Sequence, residues 1–119
     1  MKWLAGRFRC SFQGLKDGIF KDCSIRFQFV LGLMALAAGW ILRITKEEWL
    51  WVLLCIALVI SFEFINSCIE KTVDYISLEH NPQAGQIKDM ASTAVLIVSL
   101  FALIVACLIF IPRLMIWIG

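Results

Sequence analysis

The chain has 119 residues and a formal net charge of +2 at pH 7. Hydrophobic residues make up 61% of it, and the mean hydropathy is +0.88. A soluble domain of this size needs a largely polar surface, so the composition excludes a soluble domain and predicts one membrane domain over residues 1–119. The small net charge gives no support for nucleic-acid binding, so no nucleic-acid partner is expected.

The N-terminal segment has apolar residues at spacings of three and four, which is typical of an amphipathic helix. These apolar residues are Leu4, Phe8, Phe12, Leu15 and Ile19. Basic and polar residues occupy the other side. The pattern predicts a surface helix over about residues 3–22, lying in the membrane interface.

Three apolar spans follow the surface helix. They cover about residues 27–44, 49–69 and 93–112. A helix needs about 20 residues to cross the hydrocarbon core, and the second and third spans meet that length. The predicted fold class is therefore all-α, an integral membrane protein with one surface helix and three transmembrane helices.

The basic residues predict the orientation of the spans. Six of the eleven Lys and Arg residues precede residue 27. Because positive charge favours the cytoplasmic side, the N-terminus and the segment 71–90, interpreted as a loop, are expected in the cytoplasm. With three spans, the C-terminus is expected outside.

The second span ends in a row of polar residues: Glu63, Asn66, Glu70 and Asp74. On a helix they lie within a sector of roughly 80° and cover about 16 Å of axis. The row thus leads from inside the bilayer to its surface. Carboxylates within a membrane are candidates for a functional site, whereas the alternative interpretation is a helix-packing face in which Asn66 bonds a neighbouring helix.

Further polar residues are expected on the same side of the membrane: Asp22, Arg26, Lys88 and Asp89. Carboxylates with a lysine suit Mg²⁺ and phosphate, because Mg²⁺ takes few protein carboxylates and a lysine supplies a point charge. The alternative for Lys88 and Asp89 is the ordinary charged end of a third span. No segment matches the phosphate-binding loop pattern GxxxxGK[ST].

Two segments, "EFINSCIEKTVD" and "IKDMASTAVLI", together resemble the small prokaryotic integral-membrane diacylglycerol kinase and undecaprenol kinase family. The family pattern is approximately E-x-x-N-[ST]-x-I-E-x-x-V-D, followed by K-D-[ML] and small residues that open the last helix. The resemblance covers roughly residues 11–112. The matching residues are Glu63, Asn66, Ser67, Ile69, Glu70, Val73, Asp74, Lys88, Asp89, Met90 and Ser92.

The resemblance implies a homotrimer in the bacterial plasma membrane, each chain having a surface helix and three transmembrane helices. It also implies transfer of the γ-phosphoryl group of ATP, with Mg²⁺, to a hydroxyl of a lipid substrate, diacylglycerol or undecaprenol. Glu63 matches the general base, and Asp22 and Glu70 match the metal carboxylates. Residues implied in nucleotide binding are Cys10, Ser11, Asp22, Glu70, Asp74, Glu79, Asn81, Lys88 and Asp89. Residues implied in lipid binding are Arg26, Glu63, Asn66 and Ser92.

Three positions depart from the family. Asp22 is one methylene shorter than the usual Glu. The loop "EHNP" stands where the family often has E-Y-H-P, so His80 aligns with its Tyr and Asn81 with its His. Cys10 stands where some members have Tyr.

A small oligomeric transport or proton-relay protein that uses the same acidic row is the alternative function. The lysine in the pair Lys88 and Asp89 favours the kinase, because a proton path needs no phosphate-binding lysine. The acceptor lipid stays open between diacylglycerol and undecaprenol.

Overall fold

The computed structural model describes residues 2–76 and 81–119 of the chain. The described residues form four helices and no strand, which confirms the all-α prediction. The helices are α1 (Lys2–Lys21), α2 (Cys23–Leu42), α3 (Lys46–Ile76) and α4 (Pro82–Ile118). By length and composition, α2, α3 and α4 are each able to cross a membrane.

A single residue, Asp22, separates α1 from α2. Its backbone is extended (φ −117°, ψ 115°), and its side chain accepts hydrogen bonds from the amides of Ser24 and Ile25. An aspartate in this position satisfies the first free amides of a helix and favours a helix start. The end of the surface helix, predicted near residue 22, and the start of α2 are therefore set by one capping residue.

Capping residues at both helix ends define the short turn between α2 and α3. Arg43 has a positive φ of 53° and its amide bonds the Gly39 carbonyl, which ends α2. Thr45 and Glu48 then form a reciprocal capping box, with bonds of 3.0 and 3.2 Å, that starts α3. The helix α2 thus covers most of the predicted 27–44 span but begins before it and ends before Arg43.

The helices α3 and α4 pack against each other along the bundle. At the end of the bundle where α3 begins, Ile44, Val52 and Ile109 form the buried cluster. There the guanidinium of Arg113, at Nη2, donates to Glu48 Oε1 at 2.7 Å. The capping box of α3 is therefore joined to α4 at the same point.

The interpretation of residues 71–90 as a loop is wrong for most of that segment. α3 continues to Ile76, and α4 begins at Pro82 with Asn81 as its N-cap, whose Oδ1 accepts from the Gln83 amide at 2.9 Å. Proline is favoured in the first helical turn, where its missing N–H has no intrahelical partner. The polar ends of α3 and α4 therefore extend well beyond the predicted apolar spans. Residues 77–80 lie outside the described part of the chain.

Candidate active site

The polar row on α3 runs from a buried to an exposed environment. Glu63 is 7% exposed, Asn66 is half-buried, and both Glu70 and Asp74 are exposed. This gradient follows the order of the residues along the helix. The row therefore leads from the interior of the helix bundle to its exposed surface.

Asn66 links two of these residues and has an unused acceptor. Its Nδ2 donates to Glu70 Oε1 at 3.4 Å. Its Oδ1 is buried, and no donor in the described part of the chain reaches it. A buried carbonyl oxygen without a donor costs free energy, so this atom is a natural acceptor for a bound molecule.

Asp22 reaches the acidic face of α3 from the start of α2. Its Oδ2 accepts a hydrogen bond from the hydroxyl of Ser67, a residue on α3 that is itself buried. Partial burial alone would raise the pKa of Asp22, but the hydrogen bonds from Ser67, Ile25 and Ser24 outweigh it and lower the pKa below its ordinary value. The carboxylate is thus held ionised against α3.

Close packing of α1 against α3 brings Asp22 to this place. Gly18 is buried, and a Cβ added there would lie 2.2 Å from Cε1 of Phe64. Ile25, on the first turn of α2, is only 1% exposed. A glycine at residue 18 therefore lets the end of α1 lie directly on α3, next to Glu63.

The carboxylates form one group around Glu63. Both Asp22 and Glu70 lie close enough for their charges to act on the Glu63 carboxyl. The positive charge of the exposed Lys71 also acts on the Asp22 carboxylate. The three carboxylates to which the family resemblance assigns the base and the metal ligands are therefore neighbours within one chain.

Three contributors to this site were assigned no role from the sequence. Gln28 on α2 faces the Glu63 carboxyl. Ser67 and Lys71 contact or face Asp22. The one sequence signal for Gln28 is a lone amide near the start of an apolar span, where a polar side chain needs a partner.

Lys88 brings α4 to the same face. Its Nζ forms an ion pair with Oδ1 of Asp74, 14 residues earlier on α3. Asp74 is more exposed than Lys88, at 64% against 36% of the side chain. A cation from α4 is therefore placed at the exposed end of the acidic row.

Other predicted site residues are not gathered into this group within one chain. Cys10 and Ser11 are exposed on α1, and Ser11 precedes Asp22 by about 16 Å of helix axis. Residues that are exposed without a described side-chain hydrogen bond or ion pair are Arg26, Asp89 and Ser92. Asn81 is used as the N-cap of α4. Glu79 and His80 lie outside the described residues.

An apolar cavity of about 330 Å³ lies between α2, α3 and α4. Gln28, the residue that faces Glu63, is one of its two polar lining residues, and Ser99 is the other. The remaining lining is apolar, including Val59 and Ile60 on α3. The cavity thus extends from the neighbourhood of the buried carboxylate toward the middle of the bundle.

The oxygen ligands available at this site are suited to a hard cation. Asp22 and Glu70 offer carboxylate oxygens. Among the residues described, no group of three or more His, Cys, Asp or Glu side chains is placed to hold a metal ion. Mg²⁺ needs none, because it binds one or two carboxylates and keeps waters and phosphate oxygens. The residues therefore fit a magnesium ion that arrives with a nucleotide.

Comparison with known proteins agrees with this arrangement. Residues 9–110 match the family described as prokaryotic diacylglycerol kinase. The chain belongs to the prokaryotic diacylglycerol kinase family. The match includes Asp22, the row from Glu63 to Asp74, and Lys88.

Curated relatives cover most of the chain. It is 32% identical over 112 residues to the undecaprenol kinase of Bacillus subtilis (strain 168), with 91% of each chain covered. It is 32% identical over 98 residues to the diacylglycerol kinase of Escherichia coli (strain K12), covering 82% of this chain and 80% of the relative. It is 36% identical over 91 residues to the diacylglycerol kinase of Helicobacter pylori (strain ATCC 700392 / 26695), covering 76% and 71%.

The chain is accordingly a membrane lipid kinase of the diacylglycerol kinase or undecaprenol kinase type. This membership decides between the two functions that the acidic row allowed, in favour of the kinase over transport or proton relay. A relative of each kind is 32% identical to this chain, so the comparison leaves both acceptor lipids open.

Proposed function

We propose that this kinase transfers the γ-phosphoryl group of ATP to the hydroxyl of diacylglycerol or undecaprenol in a magnesium-dependent reaction. The observation that carries the proposal is the grouping of Asp22 and Glu70 around the buried Glu63. The buried acid marks the end of the site that suits a lipid. The two more accessible carboxylates mark the end that suits a polar nucleotide. The product would serve phospholipid or cell-envelope lipid metabolism.

Glu63 is proposed as the general base. The lipid hydroxyl oxygen forms a bond to the γ-phosphorus, the bond from that phosphorus to ADP breaks, and the hydroxyl proton passes to the Glu63 carboxylate. Gln28 fixes one side of this carboxyl, and the apolar cavity beside Gln28 holds the start of the lipid chain. Asn66 Oδ1 accepts a hydrogen bond from the polar head of the lipid.

Asp22 and Glu70 are proposed as the residues that hold Mg²⁺. When bound with ATP, the ion neutralises charge on the phosphates, and phosphoryl transfer depends mainly on such neutralisation and on positioning. Lys88 exchanges Asp74 for a phosphate oxygen, as a flexible lysine cation is able to do. The remaining nucleotide contacts are assigned to Cys10, Ser11, Glu79, Asn81 and Asp89.

Two further features belong to this proposal. The chain acts as a homotrimer in the bacterial plasma membrane, which is supported by the distance of Ser11 from Asp22 along α1, because a neighbouring chain is then able to supply the nucleotide contacts. The N-terminus and the end of the bundle with Asp22 face the cytoplasm, where ATP is present. The distribution of Lys and Arg and the amphipathic pattern of α1 support this orientation.

Replacement of Glu63 by Gln tests the role of the base. Loss of a positioned general base costs about 10²–10⁴ in rate. Turnover of labelled ATP with diacylglycerol or undecaprenol in mixed micelles is measured through the extracted phospholipid. We expect a loss of this size with nucleotide affinity nearly unchanged, because Glu63 is buried away from the nucleotide side. Turnover within about threefold of the unmodified protein would remove Glu63 from this role.

A further inference from the structure

The hydroxyl of Ser67 donates to a carboxylate outside its own helix rather than to a carbonyl within it. Serine and threonine in a helix often bond the carbonyl four residues earlier. Thr72 and Thr93 do so in this chain, at 2.6 Å to Cys68 O and 2.8 Å to Asp89 O. Ser67 instead donates to Oδ2 of Asp22, which is 45 residues away in sequence.

This bond completes a defined set of partners on the Asp22 carboxylate. Oδ1 accepts from the amides of Ser24 at 3.0 Å and Ile25 at 3.3 Å, which uses both of its lone pairs. Oδ2 accepts from Ser67 alone among the described residues, which uses one lone pair. One lone pair of Oδ2 is therefore left without a protein donor.

The surroundings keep this arrangement in place. Ser67 is 8% exposed, one helical turn from the buried Glu63 and on the same face of α3. Gly18 lies against Phe64 on the neighbouring turn. The Asp22 carboxylate is thus held at Oδ1 by two backbone amides and at Oδ2 by the buried Ser67 hydroxyl.

We infer that Ser67 is a positioning residue, whose hydroxyl fixes the Asp22 carboxylate so that the remaining lone pair of Oδ2 faces a divalent cation. The inference rests on the proposed role of Asp22 in binding Mg²⁺. Ser67 itself touches neither the lipid nor the nucleotide. A shorter Asp in place of the family's usual Glu has less reach, and a fixed orientation compensates for that loss.

The first test compares Ser67→Ala with Ser67→Thr and with the control Ser61→Ala. Ser61 is exposed on α3, and its side chain has no hydrogen bond among the described residues. Removal of an outer partner of a metal ligand costs about 10–100-fold in metal affinity. We expect Ser67→Ala to raise the Mg²⁺ concentration for half-maximal activity about tenfold, with turnover at saturating Mg²⁺ reduced less. Ser67→Thr, which keeps the hydroxyl, and Ser61→Ala keep the original Mg²⁺ dependence.

The second test needs no turnover. Mn²⁺ binding to each variant is measured by the electron paramagnetic resonance of free Mn²⁺, with a non-hydrolysable ATP analogue and the full chain in detergent micelles. We expect the same order, with Ser67→Ala weakened about tenfold. Ser67→Cys, of nearly equal volume but a weak donor, gives the same result if Ser67→Ala does not fold.

A purely structural role for Ser67 gives a different outcome. In that case Ser67→Ala lowers the thermal midpoint, while the Mg²⁺ and Mn²⁺ dependence of the folded protein stays unchanged, and the inference is overturned. If Asp22→Asn alters the metal dependence but Ser67→Ala does not, only the positioning role is refuted. If Asp22→Asn also has no effect, the proposed metal site itself has failed.

Discussion

Two glycines one helical turn apart on α1 make opposite predictions for the same substitution. Gly14 has open space where a Cβ would be added, with no heavy atom within 4 Å. Gly18 would place its Cβ 2.2 Å from Cε1 and 2.6 Å from Cζ of Phe64. Since alanine favours a helix over glycine by about 1 kcal/mol, Gly14→Ala is expected to stabilise the protein by up to that amount.

Gly18→Ala gains the same helix preference, but crowding against Phe64 offsets the gain in stability. Carbon atoms in contact prefer a separation of about 3.5–4.0 Å, so the Phe64 ring or α1 must move by more than about 1 Å. Overpacking of this kind costs about 1–3 kcal/mol. The difference in unfolding free energy between the two variants is therefore expected to be about 1–3 kcal/mol, with Gly18→Ala the less stable. The ring is the far end of a side chain, so rotation of Phe64 would place the value at the lower end of this range.

Unfolding by denaturant in detergent micelles measures this difference, and lipid phosphorylation is assayed in parallel. Gly18→Ala should also lower activity more than Gly14→Ala, because Phe64 adjoins Glu63 and the crowding separates Asp22 from α3. A second substitution, Phe64→Leu, should recover part of the stability lost in Gly18→Ala, as a double-mutant cycle would reveal. Equal stabilisation by both alanines would refute the close contact between α1 and α3.

Three further predictions concern charges. Arg113→Ala removes the cation paired with Glu48 and should lower the unfolding free energy by about 1 kcal/mol. The control Lys46→Ala, at an exposed residue, should not lower it. Equal effects of the two substitutions would contradict the pairing. The pKa of Asp22 is below its ordinary value of 3.8, so its contribution to stability is complete above that value and is lost as the pH falls through the lower folded-state pKa. Denaturation at pH 7, 4 and 3 should show a smaller acid loss for Asp22→Asn; an unchanged pH dependence would mean that the carboxyl is not held ionised. Mixing inactive Glu63→Gln chains with inactive Lys88→Ala chains should partly restore activity if the two residues act across a trimer interface, and verified mixing without recovery would place the site within one chain.

The sequence was sufficient to predict what depends on local composition. Apolar runs gave three helices of the required length, and spacing on α3 gave the row that starts at Glu63. The end of α1 near residue 22 was also predicted. Each of these results follows from residues close together in the chain, where helical periodicity relates sequence directly to position.

What the sequence did not give are contacts between distant segments. The bond from Ser67 to Asp22 joins residues 45 apart, and neither residue indicates the other. The sequence pattern assigned no role to Gly18, although a Cβ there would overlap the Phe64 ring. Polar ends of α3 and α4 were taken for a loop because hydropathy decreases there, whereas Asn81 and the following proline, interpreted as a turn, start a helix.

The ion pair between Glu48 and Arg113 has a consequence for the order in which the bundle assembles. Its two members are separated by 65 residues, so Glu48 and its capping partner Thr45 are made long before Arg113. Until α4 is synthesised and crosses the membrane, Glu48 has the amide and hydroxyl of Thr45 as its described partners, without the cation. Closure of this end by the ion pair is therefore a late step in biogenesis, and a chain interrupted before Arg113 would leave Glu48 without its cation.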